Sequence, residues 1–492
     1  MPSSLKINPN DTVAVALTQL SAGSTQQGIK LISDIALGHK FALKDIKSGE
    51  HITKYGYSIG IAKQDIPAGS HIHSHNLKTG LGNGETYAFT GTPQTQLKNK
   101  PTPQIMAFER ANGDIGIRND IWIIPLVGCI NGTANAIARK YEATGALPKG
   151  SQIQILAHPY GCSQLGDDHV NTRSILQNLA THPNAGAVLI MGLGCENNTM
   201  QEFRESLSPV DAQRIRFMIA QESEDEYQTA LDHLQELSQL MQADKRVEVG
   251  IDRLRVGLKC GGSDGFSGIT ANPLLGAFSD WLCSRGGTTV LTEVPEMFGA
   301  EHILMERAES QGVFADIVTL IQDFKQYYID HNQPIYENPS PGNKDGGITT
   351  LEEKSLGCTQ KSGSSIVTDV IRYRQRIKKK GLNLLEAPGN DGTAITSLAA
   401  AGCHMVLFTT GRGNPLGTVI PTVKVASNTA LAIKKKHWID FSAGPLIDEQ
   451  SDLQVLCEDF ANYLMEVANG KQTLNEINRM QEITIFKSGV TL

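Results

Sequence analysis

Trp122-Ile123-Ile124-Pro125-Leu126-Val127 runs directly into Gly128-Cys129-Ile130-Asn131-Gly132, and an amphipathic segment over 133–143 follows at once. A short, continuous apolar run ended by turn residues fits a strand buried on both faces, and the spacing after it fits a surface helix. The same order recurs at 154–157, 187–191, 216–219, 255–258 and 288–291, with amphipathic segments such as 171–181 and 222–242 between the runs. Such alternation predicts a parallel sheet covered by helices.

Outward from this core the pattern changes. Residues 12 to about 77 hold short apolar stretches at 13–17, 40–43, 51–53 and 59–62, separated by glycines at 23, 38, 49, 56 and 69, which reads as a small all-β module. Residues 79–104 are poor in aliphatics and rich in Gly, Thr, Gln and Pro, the composition of an exposed linker. A helical stretch covers about 300–331, and further strands are expected at 382–385, 405–409 and 422–426. The expected fold is α/β and multi-domain: a β module over 1–78, a linker over 79–104, a Rossmann-like α/β domain over 105–332 and a C-terminal α/β domain over 333–492 that completes the active site.

The formal net charge of -7 argues against a nucleic-acid partner, because phosphate binding wants a basic surface. No stretch approaches the ~20 apolar residues that span a bilayer, and the polar start lacks the apolar core of an export signal. Eight cysteines without such a signal read as reduced thiols. The expected location is the cytoplasm, and a homo-oligomer is left open.

Ligands of parallel sheets bind where strands end at their carboxyl edges, and the loops there are alike. They are 128–132, 158–164, 194–198, 259–265, 293–296, 388–392 and 409–414, each placing small residues beside polar side chains. Sharing one edge, they would line a crevice with carboxylates, amides, thiols and a cation or two, which suits a small polyol bearing a carboxylate. No glycine-rich loop matches a nucleotide fingerprint.

Gly69-Ser-His71-Ile-His73-Ser-His75-Asn76 closes the β module. In an extended segment the period of two puts His71, His73 and His75 on one face, a good site for a borderline metal with open positions left for substrate. The cysteines leave three readings open: packing thiols, a metal thiolate, or an iron–sulfur cluster drawn from a trio such as Cys129, Cys195 and Cys358.

These residues carry a resemblance. Gly38-His-Lys-Phe-Ala-Leu, His73-Ser-His75-Asn76, Tyr160-Gly-Cys-Ser-Gln-Leu-Gly-Asp-Asp-His169, Gly192-Leu-Gly-Cys-Glu-Asn-Asn198 and Gly257-Leu-Lys-Cys-Gly-Gly-Ser-Asp264 match the altronate/galactarate dehydratase family. So do Thr292-Glu-Val-Pro-Glu-Met-Phe-Gly-Ala-Glu301, Asn338-Pro-Ser-Pro-Gly-Asn343, Leu356-Gly-Cys-Thr-Gln-Lys361 and Pro388-Gly-Asn-Asp391, and the likeness runs nearly the whole length. The resemblance implies an N-terminal SAF-type module, dependence on Fe²⁺ or a similar divalent ion such as Mn²⁺, and a hydro-lyase reaction. It further implies conversion of D-altronate to 2-dehydro-3-deoxy-D-gluconate and water in galacturonate catabolism. A related acid such as galactarate is the alternative, as is an iron–sulfur hydro-lyase.

Such a reaction needs a base for the C2 proton and an acid for the departing 3-hydroxyl. His158, Lys259 and Asp391 are the candidates, since each follows a predicted strand end. The metal falls to His73 and His75, with His71 beside them. Asn76, Asn197, Asp264 and Arg412 are expected to contact substrate, Arg412 because its planar fork matches a carboxylate.

Overall fold

Val13–Ala16 is apolar at every position and all four residues are buried, so this strand must be covered on both faces. In the computed structural model, which describes residues 2–82, 87–91, 100–205 and 207–492, it lies between Ser4–Leu5 and Lys40–Ala42 in a four-stranded sheet whose last strand is His71–Ile72. A second sheet joins His51–Lys54, Tyr57–Ala62 and Leu77–Lys78. Its hairpin turns on Tyr55 and Gly56, both left-handed at φ 61° and 82°, a two-residue turn that matches the twist of the strands. Val13, Ile52, Ile59, Ile72 and Leu77 share one core, which Ala300 and Leu356 complete from outside the module. The small all-β module expected at the N-terminus is present, and its core is finished by the region it docks on.

Of the linker expected over 79–104, residues 83–86 and 92–99 lie outside the described residues. Its start is tied down: Thr79 Oγ1 and the Gly80 amide donate to Glu352 Oε1 at 2.9 and 2.6 Å. Its end already belongs to a strand. Gln104–Glu109 pairs antiparallel with Val247–Gly250, Ile105 opposite Val249, a contact too distant along the chain to leave a local pattern.

The strand quoted at the outset is Asp120–Pro125, inside a parallel sheet of order Ile153–Ile155, Asp120–Pro125, Ala185–Gly192, Ile215–Ile219. The helices Asn131–Glu142, Gly166–Ala180 and Glu226–Met241 connect or cover these strands. A larger sheet follows, seven parallel strands in the order Val367–Ile371, Gly381–Leu385, Thr288–Leu291, Arg255–Cys260, Met405–Thr410, Thr422–Ala426 and Phe441–Ser442. The division expected at residue 332 cuts this sheet, which takes two strands from before it and five from after it. The break between sheets falls instead near residue 250. Trp122, Ile124 and Leu176 of the first sheet's layers pack in one cluster with Ile395, Leu398 and Phe408 of the second, so the two layers share a core.

Glu353 fastens the β module to this body. Its carboxylate lies 2.8 Å from Lys40 Nζ and 2.9 Å from Lys54 Nζ, all three fully buried, and also accepts the Thr349 amide and hydroxyl at 2.8 and 2.7 Å. Burial alone would raise the Glu353 pKa, but Lys40 and Lys54 hold it well below the carboxylate range. One carboxylate serves two ammoniums, and burial, only partly offset by Glu353, lowers Lys40 to about 8. Glu353→Gln is expected to cost about 3–5 kcal/mol of unfolding free energy in a denaturant titration, since both ammoniums lose their counter-charge. The folded carboxyl is depressed, so its contribution is complete above the ordinary Glu value and fades as pH falls below it. The variant should lack that part of the acid dependence; an unfolding curve like that of the parent chain would refute the clamp.

Candidate active site

Where the strands of an open parallel sheet begin to run outward in opposite directions, a crevice opens at their carboxyl ends. Here Arg255–Cys260 has Thr288–Leu291 on one side and Met405–Thr410 on the other, so the loops after Cys260 and Thr410 flank it. Lys259 Nζ is fully buried, 3.1 Å from Glu293 Oε1 and bonded to Asp391 Oδ1. Asp391 opens the helix Asp391–Ala400, whose cap Asn390 accepts the Thr393 amide at 3.0 Å, and its other oxygen accepts Asn414 Nδ2 at 2.7 Å. The Asp391 side chain is 31% exposed against 0% for Lys259, so the carboxylate is the member that meets solvent. Burial alone would lower the Lys259 pKa; Glu293 and Asp391 more than reverse this and raise it. The expectation of Lys259 as a base is corrected: it keeps its proton as a fixed cation.

Behind it stand two carboxylates that the sequence reading placed in a loop without a role. Glu293 sits in the left-handed region at φ 70°, costly for a residue with a Cβ, and accepts the Cys260 amide at 3.0 Å. Burial and then Glu296 raise it to about 7 against the pull of Lys259 and Lys361. For Glu296 the burial effect is overcome by Lys354 and Lys361, which hold it well below the carboxylate range. Two neighbouring acids whose surroundings drive them apart are the usual mark of proton-handling groups. A pair of acids just past a predicted buried strand, as in Glu293-Val-Pro-Glu296, is the signal that could have found them.

Cys260 Sγ, Cys358 Sγ and a Glu296 oxygen lie within 4.8 Å of one another, a set of metal-type ligands. All three are buried, Lys361 Nζ is 2.8 Å from Cys260 Sγ and Lys354 Nζ is 2.8 Å from Glu296 Oε1. The ammoniums already balance the charge, and no face is open to substrate. This set suits a closed ion-pair knot rather than a catalytic ion, which needs a free position.

The histidines form the open set. The strand expected to carry them ends at Ile72, because Asn76 Oδ1 accepts the His73 amide at 3.0 Å and its Nδ2 donates to His71 O at 2.9 Å, bending the chain back. The rings gather all the same, His71 lying 5.5 Å from His73 and 5.7 Å from His75 between centroids. A fourth ring, His39, stacks on His73 at 5.3 Å. Carbonyls only accept, so His73 Nε2 donates to Lys344 O at 2.9 Å and His39 Nε2 donates to Asp345 O at 3.2 Å. His39 Nδ1 then accepts from His71 Nε2 at 3.0 Å, leaving a lone pair on His71 Nδ1, while His73 Nδ1 accepts from Ser74 Oγ at 3.1 Å. Anchoring one nitrogen on a backbone carbonyl is how proteins orient a metal-binding imidazole. Burial, then His39 and His73, lower His71 to about 3, so the ring is neutral and fit to ligate. These donors are of the kind a divalent ion takes, but no three of the ring nitrogens lie within 4.8 Å of one another, so the rings have to close to hold one. The same short helix, Pro341–Asp345, whose carbonyls hold the rings also accepts from Arg412 at Gly342 O, 3.0 Å, so it joins the histidines to the crevice rim.

Other expected residues serve the fold. His158 is buried with both ring nitrogens used: Nε2 donates to Pro125 O at 2.8 Å and Nδ1 accepts the Tyr160 amide at 3.1 Å. Both nitrogens are thus spent on backbone groups of the turn. Asn76 shapes the histidine turn. Asp264 is saturated by Ser267, Ser427, Asn428 and the Phe266 amide. Asn197 lies on the edge of the smaller sheet, accepting the Ser163 amide at 2.9 Å. The trio Cys129, Cys195 and Cys358 does not converge either: the first two are exposed on that edge, and Cys358 is buried against Cys260. Asp391 and Arg412 remain at the crevice.

Three family models match the chain in succession. Residues 2–80 match the altronate/galactarate dehydratase SAF domain, 107–242 the second domain of D-galactarate dehydratase/altronate hydrolase, and 251–491 the D-galactarate/altronate dehydratase C-terminal domain. The chain is 54% identical over 493 residues to altronate dehydratase of Escherichia coli (strain K12), covering 99% of each. It is 52% identical over 497 residues to altronate dehydratase of Bacillus subtilis (strain 168), covering 100% of each. Against galactarate dehydratase (L-threo-forming) of Escherichia coli (strain K12) the identity is 32%, over 95% of this chain and 93% of the other. With every domain matched in order, the chain belongs to the altronate/galactarate dehydratase family.

Proposed function

We propose that the chain dehydrates D-altronate to 2-dehydro-3-deoxy-D-gluconate, as a cytoplasmic step of hexuronate breakdown. End-to-end likeness to two altronate dehydratases carries the substrate; galactarate is the second reading, favoured by the more distant relative. Arg412, exposed on the rim with one nitrogen fixed by Gly342 O, binds the substrate carboxylate through its remaining donors. Asp391, held by Asn414 and Lys259, accepts the C2 proton and then returns it to the departing 3-hydroxyl, which leaves as water. Lys259 transmits the change in charge to Glu293, whose pKa near 7 lets it take up or release a proton close to neutrality. When bound at His71, His73 and His75, with His39 beside them, Fe²⁺ or a similar divalent ion supplies Lewis-acid stabilisation of the anion formed at C2.

Incubation with a panel of aldonates and aldarates plus Fe²⁺, read as 2-keto-3-deoxy acid, should show turnover of altronate; turnover of galactarate with inert altronate would sink the substrate reading and leave the reaction class. Asp391→Asn should lower kcat by about 10²–10⁴-fold with an unchanged circular dichroism spectrum, and near-normal turnover would remove Asp391 as the base. His73→Ala should abolish Fe²⁺-dependent activity while the fold persists. Full activity in that variant would refute the histidine metal site.

A further inference from the structure

The smaller sheet has a carboxyl edge that altronate chemistry, as proposed above, does not use. Three of its neighbouring strands, Ile153–Ile155, Asp120–Pro125 and Ala185–Gly192, each lead into a loop with one cysteine after a glycine: Gly161-Cys162, Gly128-Cys129 and Gly194-Cys195. All three thiols are exposed, whereas Cys260, Cys358, Cys403 and Cys457 are buried. Free cysteine is among the most buried residue types, so packing does not account for three exposed ones at equivalent turns.

The loops are pressed together. The Gly128 amide donates to Tyr160 O at 2.8 Å and the Asn198 amide to Gly161 O at 3.0 Å. A Cβ on Gly161 would stand 2.0 Å from Leu126 O and 2.8 Å from Val127 Cα, so only glycine lets the Cys162 loop cross the Cys129 loop. Buried polar atoms of the same loops lack partners among the described residues: Asn198 Oδ1, Gln164 Nε2 and Asn131 Oδ1. The Gly128–Ile130 turn that holds Cys129 leads straight into the helix Asn131–Glu142. At the chain's end the Leu492 amide donates to Ser163 O at 3.0 Å, bringing the C-terminus against the Cys162 loop.

We infer that Cys129, Cys162 and Cys195 hold an iron–sulfur cluster on this edge. A single tetrahedral ion with bonds of about 2.3 Å needs its sulfurs about 3.8 Å apart, and these three do not form a set within 4.8 Å. A cluster spreads its irons, each taking its own thiolate. Ligation releases three protons, one from each thiol, and the irons are supplied from outside as two Fe²⁺ and two Fe³⁺ with four sulfides, so that no electron has to be removed during assembly. Three protein thiolates leave one iron of a [4Fe–4S] unit open to a small oxygen ligand, such as the hydroxyl or carboxylate of a hydroxy acid.

The test uses the full chain, purified without oxygen and reconstituted with equal parts of Fe²⁺ and Fe³⁺ and with sulfide. Expected are a broad absorption band at about 400 nm and bound acid-labile sulfide. The band should be lost in Cys129→Ser, Cys162→Ser and Cys195→Ser, and kept in Cys260→Ser and His73→Ala. Before loading, these three thiols should react with Ellman's reagent in the folded chain; after loading they should be masked. Absence of the band and of sulfide would overturn the inference, as would loss of the band in Cys260→Ser with retention in Cys162→Ser. Loss of altronate turnover in His73→Ala with the band intact would separate this centre from the histidine site.

Discussion

An ammonium buried at the end of a central strand is tolerable only where carboxylates come to it, and Lys259 draws two neighbouring loops onto its strand on that account. Asp391 arrives from the loop after Gly381–Leu385, Glu293 from the loop after Thr288–Leu291, and Lys259 itself ends Arg255–Cys260. Removing any one charge would strand the others in a low-dielectric interior, a cost of several kcal/mol. Lys424 shows the alternative. It lies on the neighbouring strand but one, opposite Phe408 in register, with Nζ 3.1 Å above that ring and no hydrogen-bond partner among the described residues. Burial, reinforced by Lys259, holds its pKa well below the ordinary lysine value. Of two lysines on the same sheet, the one given carboxylates has its charged form favoured and the other has it disfavoured.

The same logic separates the two places where a metal could sit. In the Cys260, Glu296 and Cys358 knot, Lys354 and Lys361 occupy the role a cation would play, so an ion has to displace an ammonium to enter. Around His71 the neighbours are neutral rings and carbonyl oxygens, and the nearest fixed cation, Lys40, is already engaged by Glu353. A positive ion there gains lone pairs and displaces nothing. Burial lowers the pKa of His39, His71 and His73, which weakens the competition between proton and metal.

Much of this was legible in the sequence where the signal is local. The buried strands announce themselves as apolar runs, and the loops after them as Gly beside polar residues, so both parallel sheets and the crevice at Lys259 and Asp391 could be read. What escaped depends on distant pairing. His39 joins the histidines only because Lys40–Ala42 pairs antiparallel with His71–Ile72, Phe41 opposite His71. The boundary near 250 escaped because one sheet inserts strands from both sides of a long helical stretch. His158, Asn76 and Asp264 were misread for a shared reason: a polar side chain in a tight loop is as useful for satisfying the loop's own amides as for meeting substrate.

Two stretches far apart in sequence meet in space. Asp168, from Leu165-Gly-Asp-Asp-His169, accepts the amides of Ser488 and Gly489 at 2.9 and 2.8 Å, in the final Ile485-Phe-Lys-Ser-Gly-Val-Thr-Leu492 segment. Upstream, Ile483 and Ile485 enter the shared core and the Thr484 amide donates to Thr396 Oγ1 at 2.9 Å, on the helix that Asp391 begins. Downstream, Leu492 reaches Ser163 beside Cys162. The C-terminal segment therefore touches the carboxyl edges of both sheets, one bearing Asp391 and the other the exposed cysteines. A chain end without regular secondary structure of its own is held by side-chain and backbone bonds at both places, so one short segment ties the two edges together.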